Sequence, residues 1–307
     1  MLEVNRILPG NNIDTLRTLP DCSVDCCVTS PPYYLMRNYG NIEGQIGLEN
    51  TPEEYIGNLL AVFREVKRVL KDTGTLWVII GDSYAGSGKG GRGKHKYLDK
   101  ETPKAIFFDE KHPSKSLIGI PWRLAIALQT DWILRQDIIW AKQNPMPEPF
   151  KDRFCRAHEY IFLFVKQPKY YFNHEYALEE SILYHRQRKA LHERGYATKP
   201  NENGLKPQHH GENIATMPYK TMRDVWFVAT EVSREEHYAM FPKSLIVPCI
   251  LCGCPENGIV LDPFMGSGTT GIVAANHNRK YIGCEINPDY VKTAERRIKK
   301  EKALWNE

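Results

Sequence analysis

At 307 residues with 42% hydrophobic side chains, the chain is long enough to bury one large core or two small ones, which excludes a disordered protein. No apolar run approaches the ~18 residues that span a bilayer, so no membrane partner is expected, and a formal charge of +4 is too small to imply nucleic acid by itself. Eight cysteines (Cys22, Cys26, Cys27, Cys155, Cys249, Cys252, Cys254 and Cys284) lie mostly in apolar runs with no charged-then-apolar leader before them, so a reduced, cytoplasmic protein is expected.

Leu2 to Leu8 alternates as a strand does, and Ile13 to Leu19 is a short helical run closed by Pro20. Val24 to Thr29 predicts a buried strand, stopped by Thr29-Ser30-Pro31-Pro32-Tyr33-Tyr34. Two prolines fix φ and supply no N–H, so the run cannot continue a sheet ladder and its carbonyls point elsewhere. A hydroxyl, a free carbonyl and an aromatic face then sit within four residues; taken alone, the run reads equally well as a proline-stiffened turn. Thr51-Pro52-Glu53-Glu54 has the pattern of a helix start, with Thr51 as cap and Pro52 in the first turn. This helix is expected to run to about Leu70 and to stop at Gly74, and Thr75 to Gly81 to be a second buried strand of a parallel sheet.

From Asp82 to Ser116 the chain is rich in Gly, Lys and Ser, which predicts a long loop. Within it Lys89, Arg92, Lys94, His95 and Lys96 occur without an acid. Gly88 to Lys94 nearly spells a triphosphate-binding loop, but His95 stands where Ser or Thr should hold magnesium and no apolar strand leads into it. A mobile basic flap over phosphates explains the composition, as does an unstructured linker. A helix at Ile120 to Gln129 and strands at Ile133 to Trp140 and Tyr160 to Lys166 follow, the strands joined by the proline-rich Asn144 to Pro149. Gln167 to Arg223 is polar, aromatic and basic, with a second positive cluster from Tyr184 that includes Arg186 and Arg188; it reads as an insertion, either a target reader or surface packing. The core is expected to resume at Asp224 to Ala229, followed by a helix over Lys243 to Cys252, the strand Gly258 to Asp262, a glycine turn and helix, the strand Lys280 to Glu285, and a basic amphipathic helix from Pro288.

Asp262-Pro263-Phe264-Met265-Gly266-Ser267-Gly268-Thr269-Thr270 is a strand end, a tight turn and a helix start. About twenty residues on, Glu285 stands at the next strand's tip, where an acid takes ribose hydroxyls. A generic dinucleotide fold competes with this reading, but the third glycine of that pattern is missing. An acid before the turn suits a cationic amino-acid ligand better than a pyrophosphate, and together the two acids suit S-adenosylmethionine.

With Thr29-Ser30-Pro31-Pro32-Tyr33 first and the Asp262 to Thr270 run last, the chain resembles the amino-methylating DNA methyltransferases of the permuted beta class. Gly10 to Asp25, Phe241-Pro242 and Asn276 to Glu285 match further stretches of that family, so the resemblance covers nearly the whole chain. It implies a Rossmann-like, mostly parallel α/β sheet with helices on both faces, circularly permuted and carrying an inserted DNA-recognition region. Residues 1–166 would form the catalytic half with the basic loop 82–116, residues 167–223 the insertion, and residues 224–307 the cofactor half. Ser30, Pro31, Pro32 and Tyr33 would be catalytic. Asn11, Thr29, Phe241, Asp262, Phe264, Gly266, Ser267, Gly268, Thr269 and Glu285 would bind S-adenosyl-L-methionine, and Lys89, Arg92, Lys94, Lys96, Arg186 and Arg188 would bind double-stranded DNA, with no metal. Asn11 departs from the family's usual Asp, so an amide oxygen would meet the adenine amino group. Ser in the first position of the proline motif leans toward cytosine N4, with adenine N6 the alternative; an RNA or protein-amide methyltransferase and an idle DNA-binding module are more distant. A cognate restriction endonuclease and a monomer or homodimer accord with the family. Cys249 after Pro248 superficially suggests carbon-5 chemistry, and Cys249, Cys252 and Cys254 a zinc site; a helical apolar run and the lack of a second ligand pair favour small hydrophobic roles instead.

Overall fold

In the computed structural model of the chain, residues 2–36, 38, 42–86, 109–149, 151–180, 219–231 and 240–304 are described. Their main sheet contains β1 (Arg6–Pro9), β2 (Val24–Thr29), β3 (Leu70–Ile80), β4 (Ile133–Lys142) and β5 (His158–Val165), then β8 (Val225–Val228), β9 (Ile259–Asp262) and β10 (Lys280–Glu285). Two further strands, β6 (Leu178–Glu180) and β7 (Tyr219–Thr221), pair with each other apart from it. The main sheet has the order β1-β10-β9-β2-β3-β5-β4-β8, and every neighbouring pair is parallel except the two made by β5, which runs against β3 and β4.

Six described helices accompany it: α1 (Asn12–Arg17), α2 (Pro52–Val69), α3 (Ile120–Leu128), α4 (Lys243–Gly253), α5 (Thr269–Asn276) and α6 (Pro288–Leu304). Side chains alternate across the strands, so Cys27, Leu76, Val78 and Phe162 join Leu16 of α1, Phe63 of α2 and Leu124 of α3 on one face. Cys26, Trp77, Ile79 and Leu163 join Ile246 of α4, Ile272 of α5 and Ile298 of α6 on the other. Apolar runs with no polar face are the consequence, as in any sheet buried on both sides.

Several boundaries differ from the expectation for physical reasons. Helix α2 starts as predicted, with the Thr51 hydroxyl accepting from the Glu54 amide at 3.2 Å, but Val69 ends it and Leu70 already belongs to β3. Gly74 lies inside that strand and does not stop the helix; a Cβ there would stand 2.6 Å from Leu70 Cγ and 2.9 Å from the Asp25 carbonyl oxygen. The return of the core at residues 224–229 is instead the outer strand β8, where Val225 and Phe227 are exposed. The loop predicted over 82–116 has stitched ends: Tyr84 and Leu117 form an antiparallel bridge, and Ala85 and Ile118 amides reach the Ser116 and Ser83 carbonyls. Asp82 is buried there, its carboxylate accepting from the amides of Gly119 and Ile120 and so capping α3, a task that the composition of the segment hid. Burial raises the Asp82 carboxyl above its usual range, against these bonds. Lys89, Arg92, Lys94 and Lys96 lie outside the described residues.

Two compact units make up the chain, Met1–Asn173 with Asp224–Glu307, and His174–Arg223. The stretch 167–173 is held by the larger one, since the Tyr171 amide donates to the Thr73 carbonyl and the Asn173 amide to that of Cys252, each at 2.8 Å. In the smaller unit the antiparallel pair β6 and β7 is braced by Lys220 against Glu179 at 3.1 Å. Arg186 and Arg188 lie outside the described residues. No described helix is long and apolar enough to cross a membrane.

Candidate active site

Because β2, β9 and β10 are mutually parallel, their carboxyl ends emerge at one edge of the sheet, where open α/β folds bind ligands. That edge carries Ser30 after β2, Asp262 at the end of β9 and Glu285 at the end of β10. The two sequence motifs meet there directly: the Thr29 hydroxyl donates to Asp262 Oδ1 at 2.6 Å across a separation of 233 residues.

Asp262 does not present an open carboxylate to a ligand, as the sequence suggested. It is 1% exposed, and while Thr29 and the Phe264 amide occupy Oδ1, the Thr270 hydroxyl donates to Oδ2 at 2.6 Å. Its role in the structure is to brace the glycine turn against β2. Burial pushes its carboxyl up to about 6, against the pull of Thr270, Thr29 and the Phe264 amide. The native state therefore binds this proton more tightly than the unfolded chain does, and its contribution is full below about pH 4 and lost as pH rises through about 6. At about 1.4 kcal/mol per unit this amounts to about 3 kcal/mol. Asp262→Asn should flatten the stability curve across that window; urea midpoints that track the wild type from pH 4 to pH 6.5 would contradict this assignment.

The turn itself needs its glycines. Gly266 and Gly268 have φ of +52° and +86°, and the Gly266 amide donates to Glu285 Oε2 at 2.8 Å, while Asn287 holds Oε1 at the same distance. Burial raises the Glu285 carboxyl above its ordinary range. Ser267 and Thr269 are buried, the Ser267 carbonyl accepts from Arg297 at 2.6 Å, and Thr269 opens α5. Phe264 packs toward the face lined by α1 to α3 and Phe241 toward the opposite one, just before the Pro242 cap of α4. Asn11 stands beside Glu285, the Gly10 amide bonding the Glu285 carbonyl, but its amide oxygen already accepts from Ile13 and caps α1.

On the other side of β2 the proline pair divides its carbonyls. That of Pro32 accepts from the Tyr55 hydroxyl at 2.7 Å, so it serves the fold, whereas the Pro31 carbonyl bonds no described residue. Ser30 is half-buried. The Tyr33 hydroxyl donates to Glu159 Oε2 at 2.5 Å, and Lys142 pairs with Glu159 Oε1 at 2.5 Å. Burial, and then the Glu159 carboxylate, hold the Tyr33 phenol well above its ordinary range. Glu159 and Lys142 were not singled out in the sequence, although an acid leading the apolar run Tyr160 to Val165 of β5 was a visible signal.

Cys249 is buried in α4 and burial drives its thiol well up, the environment of a small hydrophobe and not of a nucleophile. Cys252 is pushed up to about 11 by the same cause. Among the described residues no group of three or more His, Cys, Asp or Glu is arranged to hold a metal ion.

Known proteins resemble this chain in sequence and fold. Residues 24–296 match the DNA methylase family of N6 and N4 methyltransferases. The type II methyltransferase M.Cfr9I of Citrobacter freundii is 41% identical over 308 residues, spanning 98% of this chain and 90% of the relative. Among solved structures, the PvuII DNA methyltransferase (cytosine-N4-specific) superposes with a TM-score of 0.63 at 20% identity, over 98% of this chain and 90% of that one. The DNA modification methylase TTHA0409 of Thermus thermophilus, complexed with S-adenosyl-L-methionine, does so with a TM-score of 0.58 at 22% identity, over 96% and 95%. With the proline motif and the glycine turn locked together at one sheet edge and the family match spanning both, the chain belongs to the amino-methylating DNA methylases.

Proposed function

We propose that the protein transfers a methyl group from S-adenosylmethionine to the exocyclic N4 of a cytosine flipped out of duplex DNA. The Thr29 to Asp262 bond supports this reading most directly, because it fixes the Ser30 site against the glycine turn. The turn fits the cofactor: a Cβ on Gly266 would meet only the Phe264 carbonyl, at 3.8 Å, so backbone and ligand can approach closely. Glu285 would take the ribose hydroxyls, since each oxygen keeps a lone pair beyond its bond to Gly266 or Asn287. When bound, the cofactor supplies an electrophilic methyl on a sulfonium. Asn11, Phe241, Phe264, Ser267 and Thr269 complete the proposed pocket.

An exocyclic amino nitrogen is a weak nucleophile because its lone pair is shared with the ring. Ser30 Oγ and the Pro31 carbonyl would accept its two hydrogens and favour the charge that develops on nitrogen during attack. Tyr33 offers a ring face to the flipped base. Lys89, Arg92, Lys94, Lys96, Arg186 and Arg188 would hold phosphates, giving salt-dependent affinity without sequence information. As the relative M.Cfr9I is a type II methyltransferase, the product would protect DNA from an endonuclease that reads the same site. Incubation with labelled cofactor and duplex DNA, followed by digestion to nucleosides, should yield N4-methylcytosine; N6-methyladenine in its place would overturn the choice of base.

A further inference from the structure

We propose that the connection between β4 and β5, residues 143–157, is a wedge that inserts Phe154 into the base stack of duplex DNA beside the flipped target and holds the gap open. This rests on the base flipping proposed above. Of the large apolar side chains exposed among the described residues, the two most open both stand in this loop, Phe154 at 98% and Met146 at 85%. Single exposed apolar groups are ordinary on a protein surface, so position and rigidity decide the matter.

Position follows from topology. Strand β5 runs against both β3 and β4, so β4 ends at the same sheet edge as β2 and β3, the edge that carries Ser30. The base of the loop is joined to the proposed pocket. The Lys142 amide donates to the Ala157 carbonyl at 2.7 Å, and the Lys142 ammonium pairs with Glu159, which accepts from the Tyr33 hydroxyl at 2.5 Å. Phe154 is five residues from Glu159, a chain reach of at most about 18 Å, or about five base-pair steps.

Rigidity comes from polar braces. Glu148 accepts from the Arg153 guanidinium at 2.6 Å and from the Arg156 amide at 3.3 Å, while the Arg153 guanidinium also lies 4.1 Å from the Tyr84 ring centre. The Arg156 side chain bonds the Asp82 carbonyl, and Asn144 exchanges hydrogen bonds with Thr230. Cys155 Sγ donates to the Met146 carbonyl at 3.4 Å, which sets the two arms side by side, and Pro145, Pro147 and Pro149 stiffen the first of them. None of these bonds uses the Phe154 side chain. The loop holds the ring outward on a fixed frame, so little freedom is lost when it stacks. Charge agrees with a nucleic-acid partner: Glu148 and Asp152, the acids of the loop, are paired with Arg153 and Lys115, each at 2.6 Å, and Lys151 is exposed. An apolar ring beside cations suits bases stacked between phosphates.

The test uses duplex DNA carrying the site that the wild-type enzyme methylates, once with the target base paired and once with it facing an abasic nucleotide. On the paired duplex Phe154→Ala should lose roughly 10- to 100-fold in kcat/KM, as for loss of one stacked base. On the abasic duplex, where unpairing costs least, it should stay within about threefold of wild type. Phe154→Leu, which keeps an apolar wedge, should retain most activity on both. Fluorescence of 2-aminopurine next to the target should rise on binding of the wild type and rise less with Phe154→Ala, while melting temperature and cofactor affinity stay unchanged. Wild-type kcat/KM of Phe154→Ala on the paired duplex, or equal losses on both duplexes, would overturn the wedge. A lower association state of Phe154→Ala in sedimentation, with DNA activity intact, would overturn it in favour of contact with a second copy. None of these results touches the proposed function, which fails separately if the wild-type enzyme methylates no DNA.

Discussion

Ser30→Ala should lower methyl transfer to duplex DNA by roughly 10²- to 10³-fold with little change in melting temperature or cofactor affinity, the range seen when one preorganised partner of a developing charge is removed. The expectation follows from where the residue stands. Ser30 is half-buried at the sheet edge and is one residue beyond Thr29, whose contact with Asp262 carries the link to the glycine turn. Loss of the hydroxyl therefore removes the acceptor without loosening the turn. Single-turnover transfer at saturating DNA measures it, with cofactor binding followed separately. Transfer within a few-fold of wild type would remove Ser30 from the proposed chemistry.

A larger effect on the fold is expected at Gly268. Alanine there would adopt a left-handed conformation, at φ of +86°, and place its Cβ 2.8 Å from Ala294 Cβ and 3.1 Å from Ala294 Cα in α6. The conformational cost is roughly 1–2 kcal/mol and the overpacking roughly 1–3 kcal/mol, so Gly268→Ala should lose about 2–5 kcal/mol in urea titration. Relief of the contact would displace the turn, moving the Gly266 amide from Glu285, and cofactor affinity should fall by at least about tenfold. Adding Ala294→Gly should recover the packing part only. A loss below about 0.5 kcal/mol for the single variant would show that the turn yields freely.

Much of this architecture was legible along the chain because it is written in local patterns. The uniformly apolar stretches announced strands covered on both faces, and the Thr51 start of α2 is a property of four neighbouring residues. The proline run and the glycine turn declare themselves through backbone restriction or freedom, which needs no tertiary context. Other features were invisible for the opposite reason. Gly74 looks like a helix stop but is small to admit Leu70 and the Asp25 carbonyl, and the reversed direction of β5 depends on pairing with β3 and β4. Asp82 sat in a glycine-rich stretch and turned out to cap a helix 38 residues away.

By itself the sequence determined which backbone could form a pocket: two prolines that end a buried strand, glycines that permit the Gly266 to Gly268 turn, and the permuted order that names the family. Only the tertiary structure decided what the side chains do there. It closed Asp262 between Thr29 and Thr270, drew Pro32 to Tyr55, and set Glu159 behind Tyr33. The reason is physical: backbone conformation is governed by a residue and its neighbours, whereas the direction of a hydrogen bond and the charge of a carboxyl depend on groups distant in sequence, as Thr29 is from Asp262 by 233 residues.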